Sequence, residues 1–194
     1  MPTSSQDQTS EEYLAAVTIG ERIPHNDKII LMESDPEWPV MFAQEESRIS
    51  TALGNRALIL EHVGSTSVPG LPAKPIIDIL LVVPDSSDES AYVPDLEAAG
   101  YVLRLREPDW HQHRLFKGPD NPVNLHVFSP GSSEIPRMLG FRDYLRTNPA
   151  ARDRYDQTKR DLATQTWTHV QHYADAKTEV VEAILTESGA PARE

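Results

Sequence analysis

Residues 61–83, EHVGSTSVPGLPAKPIIDILLVV, decide how this chain is read. The last part, residues 76–83, is an apolar run broken by one carboxylate, Asp78. Aliphatic and β-branched residues at successive positions mark a strand covered on both faces, in the interior of a sheet. Residues 57–63 read as a second strand. Residues 64–75 are rich in glycine, proline and hydroxyl side chains and form a turn-rich connection.

Working outward, residues 28–33 read as a strand or extended segment. A helix follows, with Asp35 as its N-cap and Pro36 in its first position, running to about Leu53 and ended by Gly54. Residues 92–99 fit a short helix closed by Gly100. Residues 101–106, 113–117 and 123–128 fit strands. The pattern then turns helical over 135–147, 150–164 and 168–188, with Pro149 between the first two. The expected class is α/β (α+β): a mixed sheet flanked by helices, with further helices at the C-terminal end. Residues 1–20 read as a disordered extension, 21–188 as a single domain and 189–194 as a loose tail.

The chain has 194 residues, 39% of them hydrophobic and 25% charged, which suits one globular domain with its own core. The net charge of −12 repels nucleic-acid phosphates at long range, so nucleic acid is an unexpected partner. A small anionic ligand stays compatible with it, since a local pocket can oppose the global sign. No stretch has the length and apolarity of a membrane span, and the polar, acidic start does not read as a signal peptide. The expectation is a cytoplasmic protein. The absence of cysteine removes disulfides, thiolate metal sites and cysteine nucleophiles together.

A carboxylate inside an apolar strand needs a cation, a hydrogen-bond donor or a raised pKa. Asp78 is therefore either a structural ion-pair partner or a catalytic and metal-binding acid at a pocket edge. Gly64, Ser65 and Thr66 sit in a turn after a strand, where backbone N–H groups can cradle phosphate; the plainer reading is a capped turn. Together they give a strand, a Gly-Ser turn, about a dozen residues and an Asp-bearing strand. That is the layout of polymerase-β-type nucleotidyltransferases. There the turn holds the triphosphate and the acid holds Mg²⁺ against it.

The whole segment resembles the signature of the GrpB family (UPF0157), a group with a nucleotidyltransferase-like fold. SDPEWPVMFAQEESRI, NLHVF and FRDYLRTNPAARDRYDQTKRDLA are similar to further family segments, so the resemblance spans roughly residues 30–186. It implies an enzyme that binds a nucleotide, such as ATP, or another phosphorylated small molecule, uses a divalent metal such as Mg²⁺ at Asp78, and transfers a group to a small acceptor.

Active transferases place a second acid two residues after the first, on the same strand face. Here that position is Leu80. The candidate third position falls in VNLHVF, where His126 shares a face with Asn124 and Phe128. Histidine chemistry then becomes an alternative, with His126 and His113 as acid–base groups beside Asp78, and His62 and His111 close in sequence. Lys74 is either a phosphate ligand or the partner of Asp78. Arg142 and Arg146 share a helix face; with Lys159 they read either as anion ligands or as a solvated, ion-paired surface. Tyr173 and Lys177 sit at helical spacing. Three functions stay open: a nucleotide-using transferase, a non-catalytic nucleotide-binding module, and a repurposed fold acting on a small metabolite through its histidines and Asp78. The oligomeric state is left open.

Overall fold

The computed structural model describes residues 11–20, 29–165 and 176–192. Their centre is a five-stranded mixed sheet. Its strands are β1 (Ile59–Val63), β2 (Ile77–Val82), β3 (Val102–Glu107), β4 (His113–Lys117) and β5 (Val123–Phe128), in the order β1-β2-β5-β4-β3. Only β2 and β5 run parallel; every other pair is antiparallel. β2 is hydrogen-bonded on both sides and, apart from Asp78, wholly buried, as its apolar run requires.

The alternation of β2 sorts its residues between two layers. Ile77, Ile79 and Leu81 enter the main core with Trp38, Ile49 and Leu53 of α2 (Glu37–Leu53) and Leu96 of α3 (Val93–Ala98). Asp78, Leu80 and Val82 face the other way. Leu80 and Val82 pack with Val63, Phe128 and Ile135, beneath α4 (Glu134–Thr147). A helical layer completes that side. In it α5 (Pro149–Ala163) and α6 (Thr178–Ser188) bury Leu145, Tyr155 and Ile184 with Val68 and Leu71 of the proline-rich loop. That loop is therefore anchored by its own apolar residues, and Ala73 is pinned further by paired backbone bonds with Met32.

Several local expectations shift. Asp35 caps α2 from one residue further out: its carboxylate accepts the Glu37 N–H at 2.9 Å, and Pro36 precedes the first helical residue. Residues around Met32 make a single bridge to Ala73 rather than a strand of the sheet. The expected disorder over residues 1–20 is corrected for 11–20. They form α1 (Glu11–Val17), which docks on β3 through a Thr18–Leu105 bridge, an Ile19 N–H bond to Arg104 and a Tyr13 bond to Glu107. The tail is likewise tied down as far as Pro191, whose carbonyl accepts Arg137 Nη1 at 2.6 Å. Among the described residues no helix is long and apolar enough to cross a membrane. Tyr173 and the first part of the last predicted helix lie outside the described residues.

Candidate functional site

Gly64 ends β1 with φ +69° and ψ −173°, a backbone region that side-chain-bearing residues avoid. A short 3-10 turn, Ser65–Ser67, follows at once. Val63 is paired with Asp78 in the sheet, so this turn and the carboxylate meet at the same sheet end. A methyl group on Gly64 would lie 2.9 Å from Asp78 Cβ and run into the carboxylate. The glycine is thus required twice, by its dihedrals and by the close approach of Asp78.

The turn is braced from behind. Arg146 Nε and Nη2 both donate to the Ser67 carbonyl, at 3.1 and 2.9 Å. Arg142 donates to Glu61, Asp143 and the His62 carbonyl. Both arginines therefore hold β1 and its turn, and neither lines the cavity described below, which corrects the expectation of anion ligands. Thr66 donates its hydroxyl to the Ile76 carbonyl at 3.0 Å, so the 3.0 Å contact from His62 Nε2 must be an N–H donating to Thr66. His62 is stacked on Phe42, and burial pushes its pKa down to about 4. Below 6.5 the unfolded chain binds a proton that the folded ring refuses, so stability falls as pH drops from 6.5 towards 4. The full loss from this ring is about 3 kcal/mol. Urea midpoints measured from pH 7 to 4 are expected to fall less steeply in His62→Gln, whose amide still reaches Thr66.

In front of the turn is a cavity of about 590 Å³. Gly64, Ser65, Thr66, Lys74, Asp78, His113, His126 and Lys159 line it, as do Lys117, Asn124 and Lys177. Every sequence-predicted site residue apart from the two arginines is brought there. Asn124 donates to Asp78 Oδ1 at 2.8 Å, and His126 Nε2 stands 3.9 Å from the same oxygen. Burial alone would raise the Asp78 pKa, but His126, the Asn124 bond and the charge of Lys177 outweigh it and hold the group below the ordinary carboxylate range. His126 Nδ1 meets His113 Nε2 at 3.1 Å, and His113 Nδ1 meets Glu107 Oε2 at 2.6 Å. Burial drives His113 down to about 4. His111 sits outside the cavity, in the β3–β4 turn, where it and Gln112 adopt left-handed φ angles of 52° and 50°. Trp110 packs edge-on against His113 and Phe128, half-buried at the edge of that core cluster.

The lysines converge from separate elements. Lys159 of α5 donates to the Pro72 carbonyl, lies 3.4 Å from Ser65 Oγ and stands over the Tyr155 ring. Burial, followed by the charge of Lys177, brings its pKa to about 7. Burial also depresses Lys74, Lys117 and Lys177, and each of these feels the charge of Asp78. Lys117 bonds Asn124, and Lys74 has no hydrogen-bonded partner among the described residues. Sequence reasoning passed over Lys117 and Glu107 and left Lys177 unassigned. The signal for Lys117 was its same-face alternation with His113 on β4.

The donor set does not fit two metal ions. Leu80 is fully buried under α4, so no acid could serve at that position, and among the described residues no three His, Asp or Glu side chains are grouped to hold a metal. Asp78 suits at most one hydrated Mg²⁺ brought in on phosphate oxygens, which would neutralise phosphate charge.

A mixed sheet flanked by helices, with a carboxylate set against a glycine-serine turn and lysines converging on it, defines the chain as an α+β protein with a cation-lined pocket. The chain belongs to the GrpB family: the family description "GrpB protein" matches residues 28–187. It is 60% identical over 188 residues to UPF0157 protein BH1888 of Halalkalibacterium halodurans, covering 97% of this chain and 96% of that one. It is 42% identical over 166 residues to UPF0157 protein SCO7215 of Streptomyces coelicolor, covering 86% and 87%. Its fold is similar to the crystal structure of conserved protein GrpB from Enterococcus faecalis, with a TM-score of 0.73 at 31% identity, covering 82% of this chain and 96% of that one.

Proposed function

We propose that the cavity binds a phosphorylated small molecule, foremost a nucleoside triphosphate such as ATP, and transfers a nucleotidyl or related group to a small acceptor. One observation supports this above the others. Five cationic side chains line the cavity (Lys74, Lys117, Lys159, Lys177 and Arg137) against two carboxylates, Asp78 and Glu134, in a chain of net charge −12. Arg137 is paired with Glu134 and Glu182, but Lys159 is buried and Lys74 and Lys177 are half-buried, and gathering these lysines in one pocket is costly without an anion to occupy it. Ser65 and the lysines hold the phosphates, Asp78 would hold any Mg²⁺ that accompanies them, which would supply further charge neutralisation, and His126 accepts the acceptor's proton as its oxygen attacks the α-phosphorus and pyrophosphate leaves. Nucleoside triphosphates are cytoplasmic metabolites, so the reading places the protein in the cytoplasm.

The test is product formation from triphosphate and a panel of small acceptors, with Asp78→Asn as the control. Loss of turnover in the variant supports the reading. Binding that persists without turnover in either protein would reduce the site to a non-catalytic nucleotide-binding module.

The paired histidine rings favour a second reading, proton transfer on a small metabolite by His126 and Asp78 without any nucleotide. Turnover that is independent of added triphosphate would select it.

Lys159 gives the first reading a pH signature. With its pKa near 7, a bound phosphate draws a proton onto it, and affinity is lost as pH rises above 7. Only the protonated fraction binds well, so affinity at pH 8.5 is expected to be roughly tenfold weaker than at pH 7. Calorimetry in buffers of different ionisation enthalpy should register proton uptake at pH 7.5. Lys159→Arg should abolish both effects.

A further inference from the structure

The sheet carries a polar chain that runs from the cavity to the N-terminal helix. Tyr13 of α1 donates to Glu107 Oε1 at 2.7 Å, and the other oxygen of Glu107 meets His113 Nδ1 at 2.6 Å. His113 Nε2 meets His126 Nδ1 at 3.1 Å, and His126 Nε2 faces Asp78. Glu107 and His113 lie opposite each other in the β3–β4 hairpin, and the His113 ring is wedged in stacked contact with His126 and Phe128. Neither ring nitrogen of His113 has another hydrogen-bond partner among the described residues.

We propose that Glu107, fastened by Tyr13, is a positioning residue that fixes the tautomer of both histidines and leaves His126 Nε2 as the atom that takes up a proton in the cavity. The inference rests on the reading of His126 as the base, and it follows from donor counting. An ionised carboxylate only accepts, and the partners of Glu107 hold it below the ordinary carboxylate range despite its burial. His113 must then carry its proton on Nδ1, which leaves Nε2 as an acceptor. His126 must in turn donate from Nδ1, so its neutral form has a bare Nε2 open to the lysine-lined space, and only when that nitrogen takes up a proton does its N–H face Asp78 and lower the carboxyl pKa. The charged and titratable groups around the two rings are Asp78 of β2, Glu107 of β3, Arg114 of β4 and Lys177 beside α6. None of them supplies a different acceptor for His126 Nδ1. Tyr13 precedes the segment matched by the family as a whole, so an element outside that segment is built into the site.

Long-range ¹H–¹⁵N correlation spectra of the full chain at pH 8.5 test this without any ligand. The result is therefore independent of whether the proposed substrate is right. In the wild type both His113 and His126 are expected with a protonated Nδ1 and a bare Nε2. In Glu107→Gln the Tyr13 hydroxyl keeps the amide oxygen, and the amide N–H₂ group faces His113. Both rings should then flip together to the Nε2-protonated form. His62 serves as an internal reference for folding, since its Nε2–H bond to Thr66 involves none of the hydrogen-bonded residues of the polar chain. A wild-type spectrum with either ring protonated on Nε2 would overturn the proposal, as would a folded Glu107→Gln protein in which both rings keep their wild-type form. If Glu107→Gln does not fold, the wild-type tautomers alone decide.

Discussion

Gly64→Ala is expected to destabilise the protein by about 3–5 kcal/mol, the sum of an unfavourable backbone conformation and a steric overlap. For a domain of this size the melting temperature should drop by roughly 10 °C. The two contributions are separable. Asp78 Cβ lies 2.9 Å and its carboxyl carbon 3.0 Å from where the new methyl would sit, so much of the overlap belongs to the Asp78 side chain. In an Asp78→Ala background the cost of Gly64→Ala should shrink by about 1 kcal/mol, because the carboxylate is gone. It should not vanish, because the Cβ contact and the φ of +69° persist. Thermal melts of the four proteins measure this directly. A melting temperature changed by less than about 3 °C in the single variant would show that the turn does not press on Asp78.

The second large effect concerns binding. Lys74→Ala combined with Lys177→Ala should weaken triphosphate binding at least 100-fold. Each lysine lines the cavity and senses Asp78. A charge-assisted bond to phosphate contributes about 1.5–3 kcal/mol, and each 1.4 kcal/mol is tenfold in affinity. The melting temperature should change little, because the relief of repulsion around Lys159 and Lys117 is offset by the lost attraction to Asp78. Arg142→Ala makes the opposite control. It breaks buried bonds to Glu61 and the His62 carbonyl and should cost stability while leaving every cavity lysine in place. Titration calorimetry and melting curves on the same samples distinguish the two outcomes.

How much of this was legible in the sequence follows from how local each feature is. β2, its half-buried carboxylate and the preceding glycine-serine turn all fall within residues 64–82, so apolar pattern and turn chemistry suffice to place them. The missing second acid was visible at Leu80, and the structure supplies the reason: that face of β2 is roofed by α4 within two residues of Asp78. The lysines were harder. Lys117, Lys159 and Lys177 come from a strand, a helix and a helix start that meet only in the folded chain, and no spacing rule predicts that meeting. Arg142 and Arg146 share a helix face as expected, but that face packs on the end of β1 rather than opening on the cavity. Glu107 was invisible because its role depends on the register of the β3–β4 hairpin, which a turn with two left-handed residues sets. The N-terminal arm was misread because polar composition argues for disorder, whereas Tyr13 and Ile19 find partners on β3.

The claim on which the rest depends is that the space between Gly64, Asp78 and the lysines receives phosphate. The most direct measurement is a crystal structure grown with a non-hydrolysable nucleoside triphosphate. The phosphate tail is predicted to lie against the Ser65 hydroxyl and within hydrogen-bonding distance of the Lys74 and Lys177 ammonium groups, with Asp78 alongside. A nucleotide seated elsewhere on the protein, or a cavity that stays free of phosphate at saturating ligand, would contradict the account.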